Sequence, residues 1–178
     1  MPRQVFVFET PERFVAGTVG EPGERTFYLQ ARDGARLLSV AMEKGQIAAL
    51  AERVGTLIEE VRRTAGLPAA SVGAEDVAPL DSPVEEEFRV GTLALGWDAE
   101  DQLVVLEAQA LSETPAEPMS DEPDGPDVLR VRLTPEAAQA FADRARRVVA
   151  AGRPPCPLCG LPLDASGHIC PRQNGHRQ

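Results

Sequence analysis

The residues best suited to chemistry lie together near the end of the 178-residue chain, in Cys156-Pro157-Leu158-Cys159-Gly160 and Gly167-His168-Ile169-Cys170-Pro171. All three cysteines and one of the two histidines fall in this stretch. A Cys-x2-Cys turn points two sulfurs at one centre, and the glycine after it lets backbone amides approach them. Thiolates bind Zn²⁺ strongly, and four ligands close a tetrahedral structural site. Cys156, Cys159 and Cys170 supply three ligands. His168, in a compact turn between Gly167 and Pro171, is the favoured fourth; His176 is the alternative.

Other chemistry fits less well. A redox Cys-x-x-Cys usually opens a helix after a strand, where the helix dipole lowers the thiol pKa. Pro154-Pro155 before this motif and the Gly160–Gly167 stretch after it predict no helix. A disulfide would leave one cysteine over. A catalytic zinc needs an open position and a nearby base, yet four candidate ligands are present and Asp164 is the only acid near them. The tail has few large apolar side chains beyond Leu158, Leu161, Leu163 and Ile169, too few to fold on burial alone. Zinc binding, at about 10–16 kcal/mol, would order it. The expected cofactor is structural Zn²⁺.

The bulk composition bounds the rest. Apolar residues make up 43% and aromatics 4%, so the core is mainly aliphatic. A net charge of −10 argues against general binding to nucleic acid or an anionic membrane. Arg153, Arg172 and Arg177 against Asp164 give the tail a local +2, so nucleic acid contacted through Arg172 and Arg177 is the alternative partner. No aromatics interleave there to stack bases. Of 18 basic residues only Lys44 is lysine, so a single arginine says little about anion recognition. The N-terminus lacks a signal-peptide pattern and no run reaches membrane-spanning length. A cytoplasmic location, without membrane association, is expected.

The elements that must carry this tail follow from periodicity. Strands are expected at Gln4–Phe8, Arg13–Val19, Arg25–Ala31 and Arg36–Met42, with turns at Gly20–Glu24 and Asp33-Gly34. Ile47, Leu50, Ala51, Val54, Leu57, Ile58 and Val61 form one stripe on a helix over Lys44–Thr64, stopped by Gly66-Leu67-Pro68. Residues 67–87 read as a surface connection. Phe88-Arg89-Val90-Gly91-Thr92 then echoes Phe14-Val15-Ala16-Gly17-Thr18, Gln109-Ala110 echoes Gln30-Ala31, and Asp124-Gly125 echoes Asp33-Gly34. Strands are expected at Glu87–Trp97, Gln102–Ala110 and Asp127–Leu133. A second helix starts at Thr134-Pro135-Glu136, with Thr as N-cap and Pro at the first position, and ends near Ala151-Gly152. Its Ala138, Phe141, Ala142, Ala145, Val148 and Val149 reproduce the first stripe.

The expected architecture is α+β: a two-layer sandwich of two strand-strand-strand-helix repeats, about 13–64 and 87–151. The sheet is mainly antiparallel, with both helices on one face and the other face open to a partner. The body spans 1–152 and includes a mobile acidic loop at 111–126; the zinc-binding ribbon or knuckle spans 153–178. There is no P-loop, dinucleotide fingerprint, nucleophile elbow or zinc-protease motif. Both histidines lie in the tail, so a triad in the body has no histidine base.

The Phe-x-x-Gly-Thr repeats, the Phe27-Tyr28-Leu29-Gln30-Ala31 strand and the tail from Gly152 through Cys156, Cys159, His168 and Cys170 to Gly175 resemble a known family. It is an actinobacterial family of uncharacterised repeat proteins, domain of unknown function 3090. The resemblance spans nearly the whole chain and implies Cys156, Cys159, His168 and Cys170 as the matching positions, with His176 outside. It implies no activity, since none is assigned to the family. The expected role is a non-enzymatic protein–protein interaction or regulatory module. A thiol-redox or metal-dependent enzyme is the least favoured reading.

Overall fold

The computed structural model describes residues 2–21, 23–68 and 75–151. Alternating and β-branched runs become four strands in the first part: β1 (Val5–Glu9), β2 (Arg13–Val19), β3 (Thr26–Asp33) and β4 (Arg36–Met42). Helix α1 (Lys44–Ala65) follows; its stripe of Ile47, Leu50, Ala51, Val54, Ile58 and Val61 is buried. Gln46 Oε1 accepts from the Glu43 amide at 2.7 Å at the start, and Gly66 ends the helix in the left-handed conformation, φ 67°. Strands β5 (Glu86–Asp98), β6 (Leu103–Ala110) and β7 (Val128–Leu133) come next, then helix α2 (Pro135–Ala150). Thr134 Oγ1 caps α2 by accepting from Ala137 N at 3.1 Å.

The strands form one mixed sheet of seven, in the order β1-β7-β6-β5-β4-β3-β2. The β2–β3, β3–β4, β5–β6 and β6–β7 pairings are antiparallel. The β4–β5 and β1–β7 pairings are parallel. One continuous core joins Phe14, Leu29, Val40, Leu106, Leu129 and Val131 of the sheet to Ile47, Val54, Ala138 and Phe141 of the helices. Both helices therefore lie on the same face. Among the described residues no helix is long and apolar enough to cross a membrane.

Connectivity makes the sheet curl. A flat seven-stranded sheet separates its edges by about 29 Å, at about 4.8 Å per strand. The edge strands β1 and β2 are joined only through Thr10, Pro11 and Glu12, and four peptide units reach about 14 Å at most. Side chains fasten the edges as they converge. Arg36 Nη1 donates to Val7 O at 2.9 Å, and its guanidinium sits 4.1 Å from the Phe8 ring centroid. Gly34 N donates to Glu12 Oε1 at 3.0 Å.

The face away from the helices is not left open, as the periodicity suggested. Two connections lie on it. Leu80 covers Gly17, where a Cβ would overlap its side chain. Leu111 likewise crowds Gly91. The acidic stretch 111–126, expected to be mobile, is fastened at several points. Ala116 N donates to Gln109 Oε1, Met119 N to Glu107 Oε1, and Arg3 N to Pro123 O. Gln30, Glu107 and Gln109, which receive these connections, are buried, as is Ser39, which accepts from Gln30 Nε2.

Candidate functional site

The predicted zinc ligands Cys156, Cys159, His168 and Cys170 lie outside the described residues, as do Arg172, His176 and Arg177. The structure does fix where the chain leaves the body. Ala151, just after α2, donates through its N–H to Arg147 O at 2.8 Å, and its carbonyl accepts from Arg25 Nη2 at 2.7 Å. Arg25 also lines a cleft of about 310 Å³ with Phe27, Met42, Glu43, Lys44 and Arg89. Arg89 Nη1 donates to Glu43 Oε1 there at 2.8 Å. The tail thus departs beside a surface of mixed charge at the start of α1.

A second concentration of charge was hidden by the arginine-rich composition. Arg13 on β2 is buried and donates to Asp76 Oδ2 at 2.7 Å, Asp76 Oδ1 at 3.0 Å, Asp81 Oδ2 at 3.0 Å, Pro79 O at 3.0 Å and Ala78 O at 2.9 Å. Arg144 on α2 meets the same segment, donating to Asp76 O at 2.8 Å and Ala78 O at 2.7 Å. Gln30 completes the hold: its amide donates to Asp81 O at 2.9 Å and accepts from Asp81 N at 2.8 Å. The Arg13 guanidinium beside Asp76 holds that carboxyl below the usual carboxylate range, and the pairing raises the Arg13 pKa in turn. Burial pulls the Arg144 pKa down from its ordinary value.

Another cluster centres on Glu107, whose side chain is 0% exposed. Glu107 Oε2 accepts from Arg130 Nε at 3.0 Å. Arg3 Nη2 stands 3.8 Å from Oε1, and its Nε and Nη2 make no hydrogen bond among the described residues. At the β5–β6 turn, Arg132 Nη2 donates to Asp98 Oδ2 at 2.6 Å and Asp101 Oδ2 at 2.8 Å, and Arg132 holds the Asp98 carboxyl below its usual range. A carboxylate kept ionised by a guanidinium serves poorly as a general acid. These clusters join connections to the sheet, and no group of three or more potential metal ligands occurs among the described residues.

The least covered element is β5. It is the fourth of seven strands, yet Val90 is its only buried residue. Trp97 packs half-buried against the core with Leu93 and Leu95.

The molecule is an α+β protein with two helices on one face of a curled, mixed sheet. The chain belongs to the family described as "Protein of unknown function (DUF3090)", whose sequence profile matches residues 6–170. Neither a curated protein nor a solved structure matches the chain.

Proposed function

We propose that the protein is a non-enzymatic interaction module: a duplicated α+β body that presents a zinc-clamped tail to a protein partner in the cytoplasm. The carrying observation is the division of chemistry along the chain. Every cysteine and histidine falls between Cys156 and His176, while the shifted carboxylates of the body, Asp76 and Asp98, are tied to arginines. The body therefore serves as a scaffold, and the tail carries the metal-binding groups. The family match ends on Cys170 and so includes His168 but not His176, which favours Cys156, Cys159, His168 and Cys170 as the ligand set.

Two similar holds support duplication of the body. Gln30 grips Asp81 through both ends of its amide, and Gln109 grips Ala116 in the same way, with Nε2 to Ala116 O at 3.0 Å. These glutamines occupy corresponding places in the two sequence repeats, as do Gly17 and Gly91.

Metal analysis of the purified full-length chain tests the reading. One zinc per chain is expected, lost on Cys156→Ser with Cys159→Ser while the circular dichroism of the body is retained. Absence of zinc, or a reversible two-electron thiol titration in its place, overturns the metal assignment. Salt-sensitive binding to RNA or DNA, abolished by Arg172→Ala with Arg177→Ala, overturns the choice of a protein partner.

A further inference from the structure

The link between β1 and β2 holds its shape against its own sequence. Among the described residues, the non-glycine positions with positive φ are Thr10, Gln102 and Met119, and Thr10, at 40°, is the one branched at Cβ. The left-handed region is especially unfavourable for a β-branched side chain. Thr10 also precedes Pro11, whose ring favours extended backbone in the residue before it. Both preferences push toward an open link. Pro11 has its own φ fixed by its ring. Glu12 Oε1 accepts from Gly34 N at 3.0 Å, so the β2 side of the link is held by the neighbouring hairpin. Thr10 is therefore the hinge.

Beyond that hinge, β1 is seated as an insert. It ladders onto β7 from Val5↔Val128 to Glu9↔Arg132, and the Glu9 carboxylate pairs with Arg132 Nε at 3.0 Å. Arg3 N donates to Pro123 O, Gln4 N to Asp127 Oδ1 and Arg36 Nη1 to Val7 O. Phe8 is buried in the core. With β2, the strand it runs into, β1 has no ladder. None of these partners sits at Thr10 or Pro11, so the same segment of another copy would make every one of the contacts again. The β7 edge is filled by this very sequence, which identifies its occupant.

We propose that two copies of the chain exchange residues 2–9, each β1 completing the β7 edge of the other. Exchange repeats the contacts of the closed chain and lets Thr10 extend; short strained links favour it. The exchanged dimer carries two tails on one assembly, which raises avidity for a partner with two binding places. That consequence alone rests on reading the protein as an interaction module.

Sedimentation equilibrium of the full-length chain, unfolded and refolded at the test concentration under reducing conditions, tests the proposal. A mass of two chains is expected at high concentration, falling to one on dilution. Thr10→Gly accepts positive φ without strain. It raises the dissociation constant about a hundredfold, because each dimer opens two links and each shifts the balance about tenfold. Inserting Gly-Ser-Gly-Ser after Thr10 relaxes the closed link and acts in the same direction. Methyl contacts in dimers of two differently isotope-labelled copies show which chain supplies β1. Val5 and Val128 are ladder neighbours, so their contact joins one copy to the other. Three results overturn the proposal: a single-chain mass at about 1 mM, where even weak pairs associate; a dimer whose Val5–Val128 contact stays within each chain; or a dimer unaffected by both variants.

Discussion

Arg144 Nε donates to the carbonyl of Ala16 at 2.9 Å, a buried hydrogen bond between residues 128 positions apart. It joins the last helix to the outer strand of the sheet. The same guanidinium holds Asp76 and Ala78, so one side chain secures helix, edge and connection together. Phe14 and Phe141 reinforce the junction with rings stacked 4.7 Å apart.

Arg144→Ala should therefore lower stability by about 3 kcal/mol, within the range for a buried charged hydrogen-bonding group. The melting temperature would fall by about 6–12 °C. Arg144→Lys should recover little, because one ammonium cannot reproduce the planar fork that reaches three carbonyls. Denaturant titration of both variants checks this; equal stability of the alanine variant and the parent would refute it.

Gly17 is required by Leu80 and not by its backbone angle. Gly17→Ala should cost about 1–3 kcal/mol through overpacking. Leu80→Ala should cost about 2–5 kcal/mol through lost burial. Since removing Leu80 makes room for the new methyl, the double variant should be clearly more stable than the two losses predict together. Strict additivity in this double-mutant cycle would show that the contact is not responsible.

Glu107 gives a third case. Glu107→Ala removes the buried carboxylate from Arg130, which keeps only Asp121 and Ser120 O, and leaves Arg3 buried beside an empty site, for an expected loss of about 3–5 kcal/mol. It also frees Met119 N, so proteolysis should become faster within 111–126. Glu107→Gln keeps an acceptor for that amide and should protect the loop better than alanine does. Limited proteolysis of the two variants separates them.

Acid should loosen the same connections. Asp76 and Asp98 have folded-state pKa values below their ordinary ones, because Arg13 and Arg132 donate to the charged forms. Their contribution is complete above the unfolded value of about 3.9 and is lost as pH falls through the depressed folded values. Stability should decline from about pH 5 downward, and Asp76→Asn should flatten that decline while lowering stability at pH 7. A parent and Asp76→Asn variant with parallel pH–stability curves would disprove the assignment.

Local structure was readable because each element follows its own period. Arg13–Val19 and Arg36–Met42 form strands at the residues expected, and Thr134-Pro135 opens α2 as its capping chemistry requires. The parallel joins were not readable, since β4–β5 and β1–β7 depend on which sheet edges meet and not on local pattern. Arg13, Arg144 and Glu107 were equally hidden. In a chain with seventeen arginines among 18 basic residues, nothing local separates a buried guanidinium from a solvated one. The connection through Leu80 and Asp81 looked like surface because its apolar content is sparse. It is held by polar side chains from the sheet. The proposed metal ligands, by contrast, were legible only as sequence, since Cys156–Cys170 lies outside the described residues.

The pairing of β1 with β7 also sets an order of events during synthesis. Val5–Glu9 leaves the ribosome ahead of its ladder partner Val128–Arg132, which follows 123 residues later. At about 5–20 residues per second this is a wait of roughly 6–25 s. β1 must stay without its ladder partner until nearly the whole sheet exists. A chaperone that shields this short apolar segment would act on a part of the body that cannot complete its fold until Val128–Arg132 has been made.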